Sequence, residues 1–282
     1  MKAAVYARFG KPGEVVGIAD VPMPVPADGE VLIKVRAAAV NPLDWRMMGG
    51  GPLLVRKLLR MAEVSRSQPG RPGRDVAGVV ESTGRNATQF KPGDAVFGCC
   101  RGSFAEYATG AETNFVLKPE NVSFEQAGSA GIAAVTALQG LRDRGRLQAG
   151  QKVLVNGAAG GVGTFAVQIA KAFGAHVTGV CSTGNVELVR SIGADRVIDY
   201  TREDYAKGSE RYDVVMDGIA NHSLSDGRRV LTPHGRWIVY GGHDVGAFLL
   251  RAVAAAIIAP FTSRHFGVFI ARLSQKELAV LS

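Results

Sequence analysis

The residues best suited by type and spacing to do chemistry lie between Lys152 and Gly174, in KVLVNGAAGGVGTFAVQIAKAFG. Gly157, Gly160, Gly161 and Gly163 form a turn that few residues other than glycine could follow. Small residues there let a pyrophosphate approach the backbone, and the free N–H groups of a helix N-terminus receive its charge. Ala159, Gly160, Gly161, Val162 and Gly163 are therefore the candidate pyrophosphate contacts. In the register G-x-G-x-x-G, the first position is Ala158, the second Gly160 and the third Gly163. Alanine serves at the first position only if its φ is below zero. Glycines before a helix can also be mere tight packing, but a strand and a helix flank this turn and favour a dinucleotide.

The positioning elements are a short apolar strand over Lys152 to Val155 and a helix over Thr164 to Phe173. After them strands and helices alternate. Strands are predicted at His176 to Cys181, Arg196 to Asp199, Tyr212 to Asp217, Trp237 to Tyr240 and Phe266 to Ile270, and helices at Val186 to Ile192 and Leu224 to Leu231. Such alternation predicts an α/β fold, a doubly wound parallel sheet of Rossmann type. Before about Val122 the chain reads as β-rich. Strands at Lys2 to Tyr6, Glu30 to Ala39, Asp75 to Ser82 and Asp94 to Gly98 are separated by Pro/Gly turns, which predicts a small barrel or curled sheet. Ser123 with Gln126 makes a capping box, opening an alanine-rich helix over Ala127 to Leu141.

At 282 residues the chain is long enough for two domains, and 46% hydrophobic with 21% charged residues is ordinary for a globular protein. Cys99, Cys100 and Cys181 cannot make a disulfide framework and fit a reducing, cytoplasmic setting. No C-x-x-C spacing points to structural zinc. The start, MKAAVYARFG, has no signal-peptide core, and the longest apolar run, Ala252 to Phe261, is too short to span a bilayer and reads as a buried helix. The net charge of +8 suits an anionic cofactor, nucleic acid or a membrane surface. The basic run from Arg56 to Arg74 lacks interleaved aromatics, so it reads as a solvated loop and no nucleic-acid partner is expected.

Seven stretches then carry a resemblance. They are AAAVNPLDWRMMGG (37–50), PGRDVAGVV (72–80), KPGDAVFG (91–98), SFAEYA (103–108), NGAAGGVGTFAVQIAKAFGA (156–175), SIGADRVIDY (191–200) and GRWIVYGG (235–242). In order and spacing the chain resembles the medium-chain dehydrogenase/reductase superfamily, in its zinc-independent quinone oxidoreductase branch. The resemblance implies a GroES-like barrel over residues 1–122, a Rossmann domain over 123–270, and NADPH-dependent reduction of quinones or α,β-unsaturated carbonyls. Zinc members need a thiolate near NPLD and an imidazole near PGRD. Here stand Asn41 to Asp44, and Arg74 with Asp75, and a guanidinium repels a metal. No metal is expected.

By resemblance Asn41 lies beside the nicotinamide, where its amide could donate to substrate or ribose. Asp44 could orient Asn41 or relay a proton, although turn chemistry accounts for both residues as well. Thr136 matches a position near the nicotinamide. For the cofactor, an NAD enzyme usually has an acid at the end of the second strand. That strand ends Val180-Cys181-Ser182-Thr183-Gly184-Asn185, with no acid before Glu187. NADPH is therefore expected, with Ser182, Thr183 and Asn185 able to bond its 2′-phosphate and Tyr200 matching a position at the phosphate or adenine. Gly241 and Gly242 follow the fifth strand, where the nicotinamide half should pass. Relatives often dimerise through the last strand, here Phe266 to Ile270.

Over 271–282, Ser274 to Glu277 is a capping box opening a helix with Leu278, Val280 and Leu281 as its apolar residues. Family members continue further, which predicts an incomplete barrel with an unpaired edge, and lowered stability or self-association. It also leaves open a second reading, an NADPH-binding protein with little catalysis.

Overall fold

Burial along the chain shows which faces the sequence commits to the interior. Val153, Leu154, Val155 and Asn156 are all buried, as a central parallel strand covered on both faces must be. Glu30 to Ala37 instead buries Val31, Leu32 and Ile33, and only after them alternates with exposed Lys34 and Arg36. These features come from a computed structural model of the chain, which describes residues 1–49, 69–242, 253–254, 257 and 262–282. Most of the basic run after Arg56 and of the apolar run Ala252 to Phe261 lies outside the described residues.

The chain divides into two compact units, one of Met1–Ile132 with Leu273–Ser282, the other of Ala133–Arg272. In the first unit β1 (Lys2–Tyr6) and β2 (Val16–Asp20) pair antiparallel. β3 (Glu30–Ala37), β4 (Asp75–Thr83), β5 (Ala95–Cys99), β6 (Tyr107–Ala111) and β7 (Phe115–Leu117) form an antiparallel sheet in the order β6-β3-β4-β5-β7. Val31, Ile33, Val76, Val96 and Phe115 pack its core. The capping box at Ser123 is present, with Ser123 N–H donating to Gln126 Oε1 at 2.8 Å.

The single helix expected over Ala127 to Leu141 is broken. One helix covers Phe124–Gly128, a second Gly131–Gln139, and a π-type turn follows at Gly140–Arg144. The break falls where the backbone comes closest to neighbouring residues of the first unit. A Cβ at Gly131 would sit 2.4 Å from Asp75 Oδ1, and one at Gly128 3.1 Å from the Ala37 carbonyl oxygen. The Phe124–Gly128 helix packs on β3 and β4, so it falls with the first unit although the change in texture begins at Ser123.

In the second unit β8 (Lys152–Asn156), β9 (His176–Cys181), β10 (Arg196–Asp199), β11 (Tyr212–Asp217), β12 (Leu231–Val239) and β13 (His265–Val268) form a parallel sheet in the order β10-β9-β8-β11-β12-β13. This is the doubly wound order, with its reversal beside β8 and β11, and such sheets take ligands outside the carboxyl ends of the strands at that point. The Gly161–Ala172 helix packs Ala166, Val167 and Ala170 into the core against Val153 and Val155.

Candidate functional site

At the end of β8 the chain turns at Gly157, whose φ of 88° is in the left-handed region that glycine tolerates. Ala158 is not among the residues with positive φ, which is the condition for alanine at the first fingerprint position. The N–H groups of Gly157 and Ala158 both donate to the Val180 carbonyl, at 3.1 and 2.9 Å, tying the turn to β9. Gly160 is the N-cap of the Gly161–Ala172 helix, which starts three residues earlier than its apolar spacing indicated. It offers no side chain to the first-turn N–H groups of Gly161, Val162 and Gly163, and these have no partner within the helix. A Cβ at Gly163 would lie 2.1 Å from the Gly157 carbonyl oxygen and 2.8 Å from Ala158 Cα, so Gly163 seats the helix on the turn. Nothing lies within 4 Å of a Cβ at Gly161, which faces open space. Exposed glycines over unpaired N–H groups fit a pyrophosphate. Ala159 and Val162 are half-buried beside them.

The floor of the same crevice holds a network that its sequence did not announce. Asp217, last in β11 and fully buried, pairs in register with Asn156. Its Oδ1 accepts from Asn156 Nδ2 at 2.8 Å, Ala220 N at 2.8 Å and Ile219 N at 3.1 Å, and its Oδ2 accepts from Trp237 Nε1 at 3.0 Å. Burial, with the Asp217 charge behind it, holds the Tyr240 phenol far above its ordinary range. Gly241 has no room for a side chain, since its Cβ would be 2.5 Å from the Gly218 carbonyl oxygen, and Gly242 has φ 143°. Thr136 is buried on the Gly131–Gln139 helix.

Beyond β9, Ser182 is half-buried and accepts from Asn185 Nδ2 at 3.1 Å. Thr183 is not idle, because its hydroxyl donates to Asp199 Oδ2 at 2.6 Å. Tyr200 is exposed and anchored by its N–H to the Cys181 carbonyl at 3.0 Å. Ser182, Thr183, Asn185 and Tyr200 thus gather at the ends of β9 and β10.

Asn41 and Asp44 belong to a second constellation, within the first unit. Asp44 Oδ2 accepts from the Asn41 backbone N–H at 2.8 Å, reaching back over the first turn of the Pro42–Gly49 helix. Burial pushes the Asp44 carboxyl up, while the Asn41 N–H, Arg74 and the Gly73 N–H pull it down. The Asn41 amide donates to Asp75 Oδ2 at 2.9 Å. Asp75, fully buried, also accepts from Cys99 Sγ at 3.1 Å and Ile132 N at 2.9 Å through Oδ1. Burial raises its pKa to about 6, against the hydrogen bonds from Asn41, Cys99 and Ile132.

Arg74 joins Arg71, Arg101, Cys99, Cys100 and Ile132 around a cavity of about 460 Å³ in this unit. Burial pushes the Cys100 thiol up to about 12 despite Arg74 and Arg71, and burial with the Asp75 charge pushes Cys99 higher still. Both thiols stay protonated at neutral pH. Among the described residues, no three His, Cys, Asp or Glu side chains cluster in metal-binding fashion. The cavity offers guanidinium donors to a carbonyl oxygen or a negative charge.

Comparison with known proteins identifies the family of the chain. Residues 27–120 match the alcohol dehydrogenase GroES-like domain, and residues 161–269 match the zinc-binding dehydrogenase family. A quinone oxidoreductase of Sus scrofa is 36% identical over 254 residues, 86% of this chain and 73% of that protein. The 2-methylene-furan-3-one reductase of Solanum lycopersicum is 38% identical over 231 residues, 78% of this chain and 57% of that protein. The structure of the quinone oxidoreductase from Coxiella burnetii superposes with a TM-score of 0.82 at 28% identity, covering 100% of this chain and 86% of that one. The chain belongs to the medium-chain dehydrogenase/reductase superfamily, in its zinc-independent quinone oxidoreductase branch.

Proposed function

We propose that the chain is an NADPH-dependent oxidoreductase that reduces quinones or α,β-unsaturated carbonyls without zinc. The observation that carries this reading is the turn from Gly157 to Gly163, with its glycine N-cap and unpaired first-turn N–H groups. Ala159 to Gly163 would hold the pyrophosphate, Thr136, Gly241 and Gly242 the nicotinamide half, and Ser182, Thr183, Asn185 and Tyr200 the adenosine end. When bound, NADPH supplies the hydride. The first unit is assigned the substrate. There the Asn41 amide is held on Asp75 Oδ2 and the Ala39 carbonyl, and the helix turn that Asp44 closes fixes it further, so Asn41 and Asp44 are assigned a positioning role and the cavity guanidiniums the donor role. The guanidinium of Arg74 stays cationic, cannot ligate a metal and makes this lining unsuited to zinc. A developing enolate or hydroquinone then needs only hydrogen-bond donors and a proton. The names of the relatives, quinone oxidoreductase and furanone reductase, support the same substrate classes.

We place the protein in the cytoplasm, on its three free cysteines, with no nucleic-acid partner. Among the described residues no helix is long and apolar enough to cross a membrane. A second copy is assigned to the Phe266 to Ile270 edge.

Fluorescence titration with NADPH, followed by NADPH oxidation with a panel of quinones and enals, tests the function. Saturable binding and turnover of at least one class are expected. Binding without turnover across the panel leaves only a nucleotide-binding protein.

A further inference from the structure

The second strand of a dinucleotide fold normally ends in the acid that reads the ribose 2′ position. β9 ends in Cys181 and carries none. The neighbouring strand does. β10 ends in Asp199, in parallel register with Cys181, so the two strand ends lie side by side. Asp199 is gripped on both oxygens. Oδ2 accepts from Thr183 Oγ1 at 2.6 Å, and Oδ1 accepts from Thr201 Oγ1 at 2.8 Å and Thr201 N at 3.0 Å. The Thr183 hydroxyl above all, then Thr201 and Arg202, hold its carboxyl below the usual range, so it is ionised at neutral pH.

Arg202 follows in the turn after β10, with its N–H on the Asp199 carbonyl at 3.0 Å. Its guanidinium Nε is 3.6 Å from Asp199 Oδ2, and the side chain is 78% exposed. A pair that long, with its guanidinium in water although the Asp199 side chain is only 13% exposed, holds weakly, so the guanidinium can leave for a better anion. Arg196, on the same strand, is instead engaged by Glu203 at 2.7 Å.

We propose that Asp199 and Arg202 set the response of this chain to the ribose 2′ substituent, Asp199 standing in for the missing acid of β9 and Arg202 supplying the cation for a 2′-phosphate. The inference rests on the dinucleotide reading above. Asp199 repels a phosphate and can accept from a 2′-hydroxyl, whereas Arg202 attracts the phosphate and ignores the hydroxyl. With both charges on one turn, NADPH is held while NADH is only weakly excluded.

The test is equilibrium binding of NADPH and NADH to the full chain, read by nucleotide fluorescence, for wild type, Asp199→Asn and Arg202→Ala. Wild type is expected to bind both within about tenfold of each other. Asp199→Asn should move the affinity ratio about fivefold toward NADPH, and Arg202→Ala about fivefold toward NADH. Arg202 is exposed, so its variant keeps the fold and remains informative if the loss of the Thr183 bond at Asp199 unfolds the other. Both nucleotides binding with an unchanged ratio in the folded variants overturns the inference alone. A wild-type chain that binds neither nucleotide overturns the functional reading, and the inference with it.

Discussion

Asp75 is an acid in the wrong solvent. Burial raises its pKa from 3.8 to about 6, although three donors oppose the shift. A carboxyl whose folded pKa lies above its unfolded one binds more protons in the folded state, so stability falls as pH rises through that window. The penalty is absent below about pH 4, complete above about pH 6 and on the order of 3 kcal/mol. The melting temperature of wild type minus that of Asp75→Asn should therefore decline between pH 4 and pH 6 and level off above it. A flat difference over that range would show that Asp75 keeps an ordinary pKa. Spacing did not single out Asp75 for a role, because its partners Asn41, Cys99 and Ile132 are distant in sequence and only the folded sheet assembles them. Asp199 escaped for a related reason. Its strand was predicted, but the pairing that sets it against Thr183 crosses from one strand to the next.

The helix that follows β8 separates two jobs that glycine does. Gly163 is there for packing, since a methyl group would meet backbone atoms at 2.1 and 2.8 Å that cannot swing aside. Gly163→Ala should cost about 1–3 kcal/mol or more and lower the melting temperature. Gly161 has space for a methyl and gains helix propensity, so Gly161→Ala should leave the melting temperature equal or higher. It should nonetheless weaken NADPH binding, because its Cβ would stand where the pyrophosphate approaches. If Gly161→Ala binds NADPH as wild type does, the first turn is not the phosphate cradle.

The parallel strands were readable because buried strands are short apolar runs between turns. β2, β6 and β7 were not. Val16–Asp20 is mostly exposed, Tyr107–Ala111 is built of small residues around Thr109 and Gly110, and Phe115–Leu117 is only three residues long. Neither periodicity nor β-propensity marks such segments.

At the scale of the whole molecule the chain passes through the second unit and comes back to the first. The Gln275–Leu281 helix buries Leu278 and donates from Gln275 Nε2 to the Phe115 carbonyl at 2.9 Å. The second unit is left with two sheet edges, and they differ. β10 carries exposed Arg196, ion-paired to Glu203, and ends in Asp199, the sort of charged border that discourages strand addition. β13, His265–Val268, has partly buried Phe266, Gly267 and Val268, and the exposed Ile270 lies just beyond it. Among the described residues no strand pairs with that side of β13, so its N–H and C=O groups are a template for a second copy, and a twofold axis would bring the same strand back on itself. Light scattering should give twice the 29.7 kDa chain mass for wild type. Ile270 is 79% exposed, so Ile270→Lys costs the fold little but sets like charges against each other across the axis, and it should shift the protein to monomer. A dimer that survives Ile270→Lys, or a wild type that stays monomeric at high concentration, would exclude β13 as the interface.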